Sequence, residues 1–194
     1  DWVSLLKSEI RNPKLETNSK SQIQNNRRTI AEAIDRAIFP GLQGGPHNAT
    51  TAAIAWTFGQ VATPSFKRYT SQIVKNARAL AQTLARAGAT LVSGGTDNHL
   101  MLLDARPFGV TGTEAEALLE KNGIIANRNS IPGDDKPFKP SGVRLGTPSV
   151  TSRGMKEREM KQLAGLIHAC LAQRADVSAP VKKLCKAFPL PYIG

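Results

Sequence analysis

From about residue 65 to its C-terminus the sequence predicts a small α+β domain, and two observations carry that prediction. Phe66, Tyr69, Ile73, Val74, Ala77, Leu80, Ala81 and Leu84 recur at the spacing that gathers them on one face of a helix. After it, two short apolar runs, Ala89–Val92 and His99–Asp104, flank Ser93-Gly-Gly-Thr-Asp-Asn98, a turn composition that joins antiparallel strands. A third feature lies upstream, in Phe39-Pro-Gly-Leu-Gln-Gly-Gly-Pro-His-Asn48. Such a run is neither helix nor central strand, because glycine loses too much entropy on ordering and proline lacks an N–H.

Residues 1–28 form a polar leader with few apolar residues after Leu6, a composition that buries little surface. Ile30, Ile34 and Ile38 then mark a short amphipathic helix over Thr29–Ile38. The glycine-rich stretch follows. It either presents bare backbone N–H groups to an anion or serves only as a tight loop. Residues 49–62 are small and apolar nearly all round, so that helix is expected to be buried. Pro64 marks a kink or a break. The helix from Ser65 to about Arg86 is capped by Gly88.

Thr111 and Glu114 have capping-box spacing and open a helix that carries Ala115, Leu118 and Leu119 and ends at Asn122-Gly123. Ile124–Ala126 reads as a brief strand, and Asn127–Gly142 as a long loop. Loops of that length inside a compact domain tend to be functional. Val143–Gly146 is the next strand, closed by Thr147-Pro148. Thr151 or Ser152 caps a final amphipathic helix through Met155, Met160, Leu163, Leu166, Ile167 and Leu171. The segment from Val181 ends in Phe188-Pro-Leu-Pro191 and is too proline-rich for helix.

Composition bounds the function. With 194 residues and 40% hydrophobic content, the chain is globular for most of its length, as one domain or a small domain plus part of another. It has no run of eighteen apolar residues and no charged-then-apolar leader, so neither a membrane span nor a signal peptide is expected. Cys170 and Cys185 lack metal-ligand or scaffold spacing, which fits a reducing cytosol, and the three histidines are scattered, so no metal is expected. A net charge of +11 invites a nucleic-acid reading. The basic residues are spread along the chain, however, and aromatics make up only 5%, so no stacking platform forms. Specific nucleic-acid binding is not expected; the charge suits phosphorylated small molecules equally well.

Three positions invite chemistry. Arg144 lies in an otherwise apolar strand and needs an anionic partner, since a lone buried guanidinium is costly. That partner is either a ligand carboxylate gripped in a bidentate fork or a structural salt bridge. Asn127 and Asn129 either bind a polar heterocycle or cap turns. His99, beside Asp97-Asn98, is either catalytic or a satisfied structural histidine, and no nucleophile stands near it in sequence.

Four stretches in the same order and spacing, Phe39-Pro-Gly-Leu-Gln-Gly-Gly-Pro-His47, Val74-Lys-Asn-Ala77, Ser93-Gly-Gly-Thr-Asp-Asn-His-Leu100 and Ser141-Gly-Val-Arg-Leu-Gly-Thr-Pro148, resemble serine hydroxymethyltransferase. The tail Val181-Lys-Lys-Leu-Cys-Lys-Ala-Phe-Pro-Leu190 is similar to that family's C-terminus, so the resemblance runs from about Thr29 to the end. It implies an α/β fold-type I pyridoxal-phosphate-dependent transferase, with residues 29–60 ending the large cofactor domain and 61–194 forming the small α+β C-terminal domain. The implied reaction interconverts L-serine and glycine with tetrahydrofolate and 5,10-methylenetetrahydrofolate, in the cytoplasm, within a homodimer or homotetramer whose active sites lie between chains.

By the same resemblance, Gly44 and Gly45 contact the pyridoxal 5'-phosphate phosphate of the neighbouring subunit, and Arg144 holds the substrate carboxylate. Asn129, Lys136, Pro137 and Phe138 meet the folate. One element departs from the pattern. The family's cofactor-bearing lysine sits in a Thr-Thr-His-Lys-Thr-type motif upstream of the Phe-Pro-Gly. The corresponding window, Leu5-Leu-Lys-Ser-Glu-Ile-Arg-Asn-Pro-Lys14, holds Lys7 and Lys14 without that motif. Neither takes the role, no catalytic residue is assigned, and the chain, which starts at Asp1, is expected to be a fragment that is inactive alone. The alternative is a non-catalytic relative that acts as a regulatory or partner-binding module.

Overall fold

The computed structural model describes residues 29–136 and 138–191. The polar leader with Lys7 and Lys14, and Pro137 in the long loop, lie outside the described residues. The chain divides into two units at Thr51/Ala52.

In the first unit, Thr29 starts helix α1 (Ile30–Arg36) with a full capping box. Its hydroxyl accepts the Glu32 N–H at 3.2 Å, and the Glu32 carboxylate accepts the Thr29 N–H at 2.7 Å, so two N–H groups that a helix start leaves unpaired are both satisfied. Phe39 has extended dihedrals (φ −129°, ψ 125°), and the Phe39–Pro40 peptide is cis. At Phe39 the chain leaves the regular helix in a wide turn over Ala37–Leu42, closed by the Gln43 N–H on the Ile38 carbonyl at 2.7 Å. Helix α2 (Asn48–Val61) follows and spans the division between the units. Its expected burial is not found: Ile54, Trp56 and Phe58 are 51%, 69% and 69% exposed. Helix propensity is local, but an all-round apolar helix needs neighbours on every side to bury it, and the described residues supply none.

Pro64 breaks the chain rather than kinking it. It is the first residue of α3 (Pro64–Arg86), where a missing N–H costs nothing, behind the Thr63 N-cap. Ile73, Ala77, Leu80, Ala81 and Leu84 are buried along one stripe as the periodicity requires, together with Asn76. Gly88, at φ 89°, ends the helix while the Ala89 N–H reaches back to the Leu84 carbonyl.

The sheet has three antiparallel strands in the order β1-β3-β2: β1 (Leu100–Asp104), β2 (Asn127–Asn129) and β3 (Gly142–Gly146). Ala89–Val92 is not a full strand. It meets β1 through one bridge, Leu91 to Leu103, flanked by bonds from Val92 N–H to Leu102 O and from Asp104 N–H to Thr90 O. The antiparallel direction expected from the Ser93–Asn98 turn is present all the same. Ile124–Ala126 is not a strand either. The Ile124 N–H is spent on the Leu119 carbonyl, closing α4 (Gly112–Lys121), and pairing starts only at Asn127. The long loop thus loses its first three residues to β2. Helix α4 itself opens on the expected capping box, with Thr111 N–H on Glu114 at 2.8 Å and Glu114 N–H on the Thr111 hydroxyl at 3.2 Å.

Two further expectations are corrected after β3. Thr151 and Ser152 lie inside a separate short helix, α5 (Pro148–Ser152), which Gly154 at φ 87° terminates. The helix α6 (Glu157–Gln173) begins instead behind Lys156, whose N–H is held by the Glu159 carboxylate at 3.0 Å. Residues Ser178–Ala187 form a helix, α7, in spite of Pro180. Proline in the first turn removes an N–H that has no acceptor within the helix, and the prolines that do stop it, at 189 and 191, lie beyond its end.

Helices α3 and α6 pack together, α3 lies against β1 and α4 against β2 and β3, and their apolar faces share one core with the sheet. Leu84, Met101, Leu103, Leu119, Val143, Met160, Ile167 and Leu171 fill the space between them and are fully buried. Each such side chain stabilises the fold by roughly 1.5–3 kcal/mol through removal from water.

Candidate functional site

Alternation along β3 decides where its arginine goes. Val143 and Leu145 are buried under the helices, so Arg144 projects from the opposite, open face and is exposed. This corrects the expected burial. Among the described residues no carboxylate and no hydrogen-bond acceptor pairs with its guanidinium, so the structural salt bridge is not what occupies it. The register sets Arg144 between Leu102 of β1 and Asn127 of β2, and Asn129 opposite Gly142. Directly paired residues share a face, so Arg144, Asn127 and Asn129 stand together on the open side. Both asparagines also make the local bonds of the alternative reading: Asn127 Nδ2 donates to Arg128 O at 3.2 Å and Asn129 Nδ2 to Ser130 O at 3.0 Å.

Arg128, between them in sequence, is drawn to Glu116 of α4 by its backbone N–H and by an ion pair. The Arg128 hydrogen bond holds the Glu116 carboxyl below its usual range.

The loop from Ser130 to Ser141 is folded back on itself. Ile131 at its start is buried, and the Asp134 carboxylate accepts the N–H groups of Ile131 and Ser141. The tip turns through a Lys139 N–H to Lys136 O bond at 3.0 Å. Lys136 is exposed and Phe138 is 96% exposed. Below the loop, α4 meets the start of β3 backbone to backbone. A Cβ on Gly112 would lie 2.5 Å from Gly142 O and 2.8 Å from Pro140 O, so only glycine allows that approach. Asp104, at the end of β1, holds Arg106 through its backbone N–H and its guanidinium, and the Arg106 side chain in turn depresses the Asp104 carboxyl.

Gly44 and Gly45 belong to the first unit. Neither has a positive φ, and a Cβ on either would meet nothing within 4 Å. Nothing among the described residues therefore calls for glycine there, and both present open backbone shortly before the start of α2. His99 is exposed and its imidazole makes no hydrogen bond among the described residues. Its backbone carbonyl is the structural group, accepting the Thr147 N–H at 3.0 Å. The satisfied structural histidine is thereby corrected, and no nucleophile is hydrogen-bonded to the ring.

Sequence reasoning missed Asn76, which is fully buried. Its Nδ2 donates to the Thr151 hydroxyl at 2.8 Å and to Met155 O at 2.9 Å, while Gln72 donates to its Oδ1 at 2.9 Å. Thr147 donates to Ile73 O at 2.9 Å in the same seam. These bonds lock α3 to the end of the arginine strand. The signal was available: a polar residue set between Ile73 and Leu80 on an otherwise apolar helix face. Among the described residues no cluster of His, Cys, Asp or Glu forms a metal site, and no helix is long and apolar enough to cross a membrane. Cys170 and Cys185 are free thiols, the first pushed to a higher pKa by burial.

The family model for serine hydroxymethyltransferase matches residues 12–167, which takes in part of the polar leader as well as the loop and β3. The chain is 50% identical over 170 residues to the serine hydroxymethyltransferase of Sorangium cellulosum, covering 84% of this chain and 40% of that protein. It is 50% identical over 168 residues to that of Methanospirillum hungatei (83% and 41% covered), and 48% identical over 168 residues to that of Desulfotalea psychrophila (83% and 40%). The chain spans about two fifths of the length of these curated relatives.

Proposed function

The chain belongs to the serine hydroxymethyltransferase family, and from that premise we propose that it supplies the substrate-gripping part of an enzyme that interconverts L-serine and glycine with tetrahydrofolate. The observation that carries this reading is Arg144, an exposed guanidinium at the centre of a sheet, with no acceptor among the described residues. A planar fork of donors held by a strand suits a carboxylate bidentately, and such charge-assisted bonds are worth about 1.5–3 kcal/mol each.

Asn129 on the same face, with Lys136 and Phe138 at the loop tip, receives the folate; Pro137, assigned with them, lies outside the described residues. The bare ring of Phe138 offers a stacking surface for a heteroaromatic and Lys136 a counter-charge for its carboxylates. Gly44 and Gly45 have room at both Cβ positions for a phosphate to approach their backbone, which fits the pyridoxal 5'-phosphate of a neighbouring subunit. That cofactor, when bound, acts as the electron sink for bond cleavage at the substrate's α-carbon. This chain's residues hold the substrate carboxylate against it, while the cofactor-bearing lysine comes from outside this sequence. A cytoplasmic homodimer or homotetramer, without nucleic acid or membrane, completes the reading.

The test pairs this chain with a separately expressed N-terminal portion of a relative and follows serine cleavage. Cofactor-dependent activity is expected from the pair and not from the chain alone. Arg144→Ala in the pair should raise KM for serine by about 10- to 100-fold. An unchanged KM removes the carboxylate role, and an inactive, non-associating pair leaves the non-catalytic module as the better account.

A further inference from the structure

Resting on the folate reading of the loop, we propose that Asp134 is its positioning residue: one carboxylate clamps both ends of the loop and so sets where Lys136 and Phe138 meet the ligand. A single oxygen, Oδ2, accepts the Ile131 N–H at 3.0 Å and the Ser141 N–H at 2.9 Å, joining the two ends of the loop. Gly133, at φ 90°, turns the chain so that the next residue can point back inward. From below, Gly142 seats against Ile131, and a Cβ there would lie 2.7 Å from Asn129 O, so the base is closed on the strand side too.

A third group braces the clamp. Arg106, anchored on Asp104, brings Nη1 to 3.4 Å from where a Gly133 Cβ would stand, and the hydrogen bonds from Ser141 and Ile131 hold the Asp134 carboxyl below its usual range. The tip has no such support, since Lys136, Phe138 and Lys139 are all exposed. Their position is therefore inherited from the base. A loop closed before the ligand arrives loses less entropy on binding, which raises affinity without any contact from Asp134 itself. Asp135 is the natural control: it is adjacent, acidic and exposed, and makes no hydrogen bond among the described residues.

The test combines backbone amide exchange with folic acid titration of the chain in its pair with the N-terminal portion of a relative. In Asp134→Ala, the Ile131 and Ser141 amides should exchange at least about tenfold faster while those of Leu103 and Val143 keep their protection, and folic acid affinity should fall about tenfold. Because both bonds end on one oxygen, Asp134→Asn keeps an acceptor and should stay within about threefold of wild type, as should Asp135→Asn. Unchanged exchange at 131 and 141 overturns the clamp, as does loosening spread evenly over β1 and β3. Asp134→Asn behaving like Asp134→Ala would mean that charge, not geometry, is what matters, and also overturns it. Folic acid affinity unaffected by Asp134→Ala overturns the positioning role and leaves the folate reading standing. A wild-type pair with protected amides and no affinity for folic acid overturns the folate reading, and with it the positioning role.

Discussion

Helices α2 and α3 stand one after the other in the chain, both form, and they end in opposite environments. Helix α3 carries an apolar stripe and a polar back; the stripe is buried against α6 and the sheet. Helix α2 is apolar nearly all round and none of its residues is buried. Helix formation and burial are thus separate decisions. Backbone hydrogen bonding within four residues makes either helix, but only a face whose shape and polarity are complemented elsewhere in the chain is removed from water. Ile54 and Phe58, one turn apart, share a face of α2 and Trp56 lies on another, and all three stay exposed.

Four variants test the contrast, taken from the largest effect down. Leu103→Ala opens a cavity beneath α3 and should lower the unfolding free energy by about 2–5 kcal/mol in denaturant titration. A loss under about 1 kcal/mol would mean that the core is not close-packed there. Asn76→Ala leaves Met155 O and the Thr151 hydroxyl without their donor and should cost about 1–3 kcal/mol, read the same way. The same replacement at exposed Gln82, on the polar back of α3, should cost almost nothing, and equal losses at the two positions would dissolve the distinction between stripe and back. On α2, Trp56→Gln with Phe58→Gln should move stability by no more than about 0.5 kcal/mol and raise solubility. A loss as large as that of Leu103→Ala would show that α2 is buried within the chain's own fold.

Much of this was legible in the residues, and the limits are instructive. The Thr111–Glu114 box, the Gly88 stop and the buried stripe of α3 were all readable, because each depends on neighbours within a turn or two. The long loop and Arg144 were readable as candidates, and the four motifs pointed to the family before any geometry was known. The clamp at Asp134 was not, since nothing in Gly-Asp-Asp distinguishes the residue that turns inward from the one that faces water. Nor was the use of Thr151, whose hydroxyl, free to cap a helix in sequence terms, is taken up by Asn76 from 75 residues away.

The sequence alone therefore determined where α3 stops and α4 starts, which face of α3 is apolar, and which family the chain resembles. Dihedral preferences and caps are settled within about four residues, so they can be read locally. Tertiary structure decided that Asn127–Asn129 is a strand, that Arg144 points into the open with both asparagines beside it, that Ser178–Ala187 is helical, and that α2 stays uncovered. Those outcomes depend on strand pairing and burial between residues far apart in the chain. No local preference encodes such a partner, because its energy exists only once the two surfaces meet.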